Sequence, residues 1–96
     1  DLVYDCQTFH VLRKLDEEGI VGVYRQLLKP GGFLLTLTGN AKEPEVGPCV
    51  LSREELQHAF REMRVVSVAE TRFDMTPTYA KLAQPPLAWC GVFQEP

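Results

Sequence analysis

The chemically versatile side chains of this chain gather in two short stretches. Asp5, Gln7, Thr8 and His10 fall within DCQTFH at residues 5–10, and Thr38 and Asn40 fall within TGN at 38–40. A carboxylate, an amide, a hydroxyl and an imidazole can bind a polar ligand, and an imidazole can also move a proton. This set of types names no reaction by itself. The sequence contains no Ser/His/Asp set, HExxH, CxxC, GxGxxG or P-loop. A structural alternative stands beside each residue: Asp5 can cap a loop, and His10 can be a packed core histidine.

These stretches follow two expected strands. Leu2–Tyr4 reads as a short apolar strand, followed by a loop at Cys6–Arg13 that can include a helical turn. Asp16 is an expected helix N-cap, with Glu17 and Glu18 suited to the positive end of the helix dipole. Ile20, Val23, Tyr24, Leu27 and Leu28 then recur at helical spacing. The helix Asp16–Leu28 ends in LLKPGGFLLTL at residues 27–37. Pro30 cannot continue it, and Gly31 and Gly32 permit a sharp reversal. Phe33–Thr38 follows as a strand covered on both faces. Strand, helix and strand make a βαβ unit, so the two strands are expected to be parallel with a right-handed crossover. Asp5–His10 and Thr38–Asn40 then lie at the same rim. Ligands bind beyond the carboxyl ends of such strands, which lets Asp5, Gln7, Thr8, His10 and Asn40 converge on one cleft.

Downstream, Gly39–Pro48 is a Gly- and Pro-rich loop. Ser52 and Glu55 form a capping-box pattern ahead of a second helix, Ser52–Met63. Val65–Phe73 reads as a strand, Asp74–Pro86 as a loop with three prolines, and Leu87–Phe93 as a final strand. No long helix precedes that last strand, so it is expected to run antiparallel to its neighbours.

The 96 residues suffice for one small domain. A hydrophobic content of 45% and a charged content of 24% are ordinary globular values. The net charge of −3, with no basic block, argues against a nucleic-acid backbone as partner. Apolar runs are too short to cross a membrane. Cys6, Cys49 and Cys90 are odd in number and lack metal-ligand spacing. Free thiols in a reducing, cytoplasmic compartment and no metal site are the expectation. The chain begins at Asp1 inside an apolar segment, and a fragment or processed product is the expectation drawn from that.

Three segments carry a family resemblance: DLVYDCQTFHVL, LLKPGGFLLTLTGN and GPCVLSREELQHAF. Together they resemble class I S-adenosylmethionine-dependent methyltransferases, and most of all the small-molecule branch with the thiopurine and tellurite-resistance enzymes. The resemblance covers the whole chain and matches the second half of that fold. It implies a single partial α/β domain over residues 1–96, a mixed sheet with parallel strands and an antiparallel C-terminal hairpin.

S-adenosylmethionine is the implied cofactor of a longer protein, with a small-molecule methyl acceptor as partner. The resemblance places Asp5, Cys6, Gln7 and His10 beside the methionine end of the cofactor and Thr38 and Asn40 on the substrate side. His10 is the implied candidate for a general base. The family's glycine-rich loop and ribose-binding acid are not within these residues, so the isolated chain is expected to be inactive. Self-association through an uncovered sheet face or edge is a further expectation. Two other readings stay open: a non-catalytic truncated or regulatory module that pairs with another chain, and a different nucleotide-binding α/β protein sharing only topology.

Overall fold

The computed structural model describes residues 2–43, 50–73 and 87–96. Cys49, the end of the expected loop at 44–48 and the loop at 74–86 lie outside the described residues. The elements in order are β1 (Leu2–Cys6), α1 (Phe9–Leu27), β2 (Phe33–Asn40), β3 (Val50–Leu51), α2 (Arg53–Ala59), β4 (Arg64–Arg72) and β5 (Leu87–Gln94).

The sheet runs β1-β2-β5-β4, with β3 paired to the end of β2. β1 and β2 are parallel, in the register Leu2 to Phe33 through Cys6 to Leu37. α1 is their crossover connection, as the βαβ pattern predicts. β5, last in sequence, inserts between β2 and β4 and is antiparallel to both. The two-residue β3 was not foreseen. Its pairing of Gly39 with Val50 and Asn40 with Leu51 extends the sheet beside the end of β2.

Several expected boundaries move. β1 and β2 reach Cys6 and Asn40, so Asp5, Cys6, Thr38 and Asn40 stand at strand ends rather than in loops. α1 starts at Phe9, where a loop was expected, and is kinked at Asp16, whose φ of −161° and ψ of 83° are extended. The Asp16 carboxylate accepts from the Gly19 amide at 3.0 Å. Asp16 therefore caps a helical segment as its type predicts, but that segment is the second half of a longer helix. α2 stops at Ala59, short of Met63. Its capping box is formed: the Glu55 amide donates to Ser52 Oγ at 3.1 Å and the Ser52 amide to Glu55 Oε1 at 2.9 Å. At the LKPGG turn, Gly31 takes a φ of +87°, and the Gly31 amide donates to the Glu95 carbonyl at 2.8 Å.

Both helices lie on one face of the sheet. Phe60, just after α2, stacks on Phe9 of α1 at 4.8 Å and on Phe93 of β5 at 4.7 Å between ring centroids. Leu34, Leu51, Leu56, Met63, Tyr24 and Leu28 belong to this core, as do Ala59 and Trp89. Burying each large apolar side chain contributes about 1.5–3 kcal/mol. Arg25 ties the layers at the periphery, donating to Glu95 from Nε at 2.8 Å and from Nη2 at 2.7 Å, and to Glu62 at 2.5 Å.

The strand Phe33–Thr38 was expected to be covered on both faces. Here only one face is fully covered. Leu34, Thr36 and Thr38 point under the helices and are buried, whereas Phe33 on the other face is 39% exposed. Leu2 and Tyr4 of β1 also stand exposed. Of the expected apolar stripe, Tyr24 and Leu28 are buried as expected, whereas Val23 and Leu27 face outward. No helix among the described residues is long and apolar enough to cross a membrane.

Candidate functional site

β1 and β2 end at the same rim, because parallel pairing places Cys6 opposite Leu37. The strand alternation then divides the expected site residues. Asp5 points under the helices and is buried, while Cys6 points to the other side and is exposed.

Asp5 organises the rim. Its carboxylate accepts from the Thr8 amide at 3.2 Å, from the Phe9 amide at 3.1 and 3.3 Å, and from Thr36 Oγ1 at 2.8 Å. Those amides open α1, so a buried negative charge sits at the positive end of a helix. This is capping, by a residue ahead of the usual cap position; Thr8 at that position makes no side-chain cap. Between them, Gln7 adopts a φ of +65° and its amide donates to the Leu37 carbonyl at 3.0 Å. A left-handed conformation is unfavourable for a side-chain-bearing residue. Asp5 and Leu37 hold Gln7 there, and the exposed Cys6–Gln7 turn projects from the strand end. The buried Tyr24 hydroxyl lies near Asp5, with no hydrogen bond of ordinary length and angle among the described residues. Its ionisation is pushed well above the ordinary phenol range, first by burial and then by the Asp5 charge.

His10 is buried on the first turn of α1, edge-on to Phe73 at 6.3 Å. Its Nδ1 accepts from the Gly39 amide at 2.8 Å. That bond commits the Nδ1 lone pair and leaves the ring proton of a neutral imidazole on Nε2. His10 thus joins α1 to the end of β2 as a positioning contact.

Thr38 and Asn40 are fully buried on the helix side of β2. Asn40 Oδ1 accepts from the Lys42 amide at 2.9 Å. Thr38 Oγ1 and Asn40 Nδ2 are buried without a hydrogen-bond partner among the described residues. A buried polar group without a partner is costly, which makes such a group a marker for an absent ligand or water. The expected single cleft is therefore two surfaces at one rim: the exposed Cys6–Gln7 turn, and the buried end of β2 at Thr38–Asn40. Among the described residues no group of His, Cys, Asp and Glu is placed to hold a metal ion.

Sequence reasoning missed Thr36, the side-chain partner of Asp5, and a cluster beside Asn40. There Trp89 of β5 is buried, and its Nε1 donates to the Leu51 carbonyl at 2.9 Å. Arg53 Cζ stands 4.9 Å and Lys42 Nζ 5.7 Å from the Trp89 ring. The capping box at Ser52 places Arg53 first on α2, and Trp89 is the sole tryptophan. The strand pairing that unites them has no local sequence signal.

No protein-family model and no curated protein sequence matches the chain. Solved structures do resemble it. One, from work on the conversion of a disulfide bond into a thioacetal group during echinomycin biosynthesis, has a TM-score of 0.78 at 16% identity, covering 99% of this chain and 49% of its own. A SAM-dependent methyltransferase from Methanosarcina mazei has a TM-score of 0.71 at 11% identity, covering 99% and 58%. TehB from Haemophilus influenzae has a TM-score of 0.68 at 13% identity, covering 100% and 35%. The chain thus spans about half the length of these proteins or less. Strand order and these likenesses together give the chain a mixed α/β fold shared with part of each of these Rossmann-like methyltransferases.

Proposed function

We propose that the chain forms the second half of an S-adenosylmethionine-dependent methyltransferase acting on a small-molecule acceptor, as part of a longer chain. The observation that carries this reading is the Cys6–Gln7 turn, held at the strand end by the capped Asp5 and displayed at the rim where α/β sheets bind ligands. The exposed side chains there fit one end of such a cofactor. Gln7 offers amide donors and an acceptor suited to an amino-acid moiety, and Cys6 offers a small wall.

When bound, the cofactor supplies an electrophilic methyl group on a sulfonium. The work of the protein is alignment, since proximity and orientation lower the barrier to an in-line displacement. Asp5 fixes the turn, and His10 fixes the end of β2 through the Gly39 amide. His10 enters this reading through position, because its Nδ1 lone pair is already engaged. A thiol acceptor is partly ionised near neutral pH and needs little help from a base. Thr38 and Asn40 lie on the acceptor side of the rim.

The exposed sheet face around Leu2, Tyr4 and Phe33 is where the rest of the domain packs in this reading. A second copy of the chain is the alternative occupant, and it favours a non-catalytic pairing module.

The parent protein containing these residues, incubated with methyl-tritiated S-adenosylmethionine and a panel of aryl thiols, should transfer label to an extractable product. Gln7→Ala should raise KM for the cofactor. Tight cofactor binding without transfer to any acceptor would favour the module, and absence of cofactor binding would overturn the proposal.

A further inference from the structure

A cleft of about 340 Å³ opens at the end of β2, lined by Asn40, Ala41, Lys42, Ser52, Arg53, Glu54 and Trp89. We infer that this cleft binds the carboxylate of a monoanionic small molecule, with Arg53 as the charged anchor and Asn40 Nδ2 as a second donor. Calling that molecule the methyl acceptor rests on the reading above; the binding itself does not.

Charge accounting selects the ligand. The Lys42 ammonium is matched by Glu70. The Arg53 guanidinium lies over Trp89, with no carboxylate partner among the described residues. Glu54 also lines the cleft, exposed to solvent in the first turn of α2. Arg53, a cation without an ion-pair partner among the described residues, stands beside the exposed Glu54, which suits a single negative charge and disfavours a phosphate dianion. A guanidinium matches a carboxylate geometrically, offering parallel N–H donors.

Preorganisation supports the assignment. Trp89 is buried and bonded to the Leu51 carbonyl, which fixes the orientation of the indole under Arg53. Cation–π contact holds the guanidinium without consuming its in-plane donors. Asn40 has committed Oδ1 to the Lys42 amide, which orients Nδ2 as a donor. Among the described residues that Nδ2 is buried without a partner, in a residue that lines the cleft, and a ligand oxygen would satisfy it.

Trp89 is the single tryptophan of these 96 residues, and its indole N–H signal, identified in the parent protein by its loss in Trp89→Phe, reports the cleft. Nitrogen-15-labelled protein is titrated with benzoate, with neutral benzamide and inorganic phosphate as controls. Benzoate should shift the Trp89 indole and Asn40 side-chain amide signals saturably, benzamide should not, and phosphate should bind more weakly than benzoate. Arg53 is exposed, so Arg53→Gln should leave the remaining spectrum intact while weakening benzoate by about fivefold or more, and Arg53→Lys should restore part of the affinity. No saturable shift up to about 10 mM benzoate, equal response to benzamide, tighter binding of phosphate, or unchanged affinity in Arg53→Gln would each overturn the inference. Because methyl transfer is read separately with tritiated cofactor, failure here leaves that proposal standing.

Discussion

Asp5 offers the sharpest test of how the rim is built. Replacing it by alanine removes the acceptor for the first amides of α1 and leaves the buried Thr36 hydroxyl without its partner. Losing a helix cap costs about 1 kcal/mol. Orphaning a buried hydroxyl costs a further 1–3 kcal/mol or so. The sum is about 3 kcal/mol, a large fraction of the roughly 5–15 kcal/mol that holds a domain together. For a domain of this size each kcal/mol moves Tm by about 4–8 °C, so Asp5→Ala should melt roughly 12–24 °C lower. Asp5→Asn keeps the shape and one acceptor oxygen but turns amide hydrogens toward donors, and should lose about 1–2 kcal/mol. Urea and thermal unfolding, followed by Trp89 fluorescence and circular dichroism, measure both. A double-mutant cycle with Thr36→Val isolates the side-chain pair, with an expected coupling of about 1 kcal/mol. If Asp5→Ala costs less than about 1 kcal/mol, or if the coupling to Thr36 vanishes, the capping role assigned to Asp5 is wrong.

Gln7→Gly should be neutral or stabilise by up to about 1 kcal/mol, since glycine accepts the positive φ that Gln7 strains to hold; a clear loss in denaturant melts would mean the Gln7 side chain supports the fold. Gly91→Ala should destabilise by about 1–3 kcal/mol, because its Cβ would stand 2.8 Å from Phe93 Cε2 and 3.4 Å from Leu56 Cδ2; an unchanged Tm would show that this packing yields freely. Arg25 holds the Glu95 carboxyl below its ordinary value of 4.5, chiefly by hydrogen bonding. The folded state therefore binds this proton less readily than the unfolded chain, so the pair's contribution is present above about pH 4.5 and is lost as pH falls through the lower folded value. Glu95→Gln should flatten the acid limb of a stability–pH curve, and an unaltered limb would assign acid sensitivity elsewhere.

Much of the fold was legible because its signals are local. Pro30, Gly31 and Gly32 stop a helix and turn the chain whatever surrounds them. The Ser52 and Glu55 side chains cap their own helix turn, so the capping box could be read directly. The parallel β1–β2 pairing followed from a helix between two apolar runs, and the antiparallel β5 from the lack of one. Asp16 shows where local reading falls short. Its cap was correct, yet the helix begins earlier, because Phe9 is drawn into the core by Phe60 and the first amides are capped by Asp5. Asp5 lies only three residues before Thr8, but its place within a strand hides that capping role.

The candidate site divides along the same line. Sequence and topology placed Asp5–His10 and Thr38–Asn40 at one rim, because parallel strands carry their ends to the same side. Alternation across β1 then separated Asp5 from Cys6, and extension of β2 by pairing with β3 and β5 buried Thr38 and Asn40. The tertiary structure alone turned His10 Nδ1 onto Gly39 and brought Arg53 and Trp89 beside Asn40 and Lys42. These partners lie far apart in sequence. Their meeting depends on which strand slides between β2 and β4, and no local propensity encodes that.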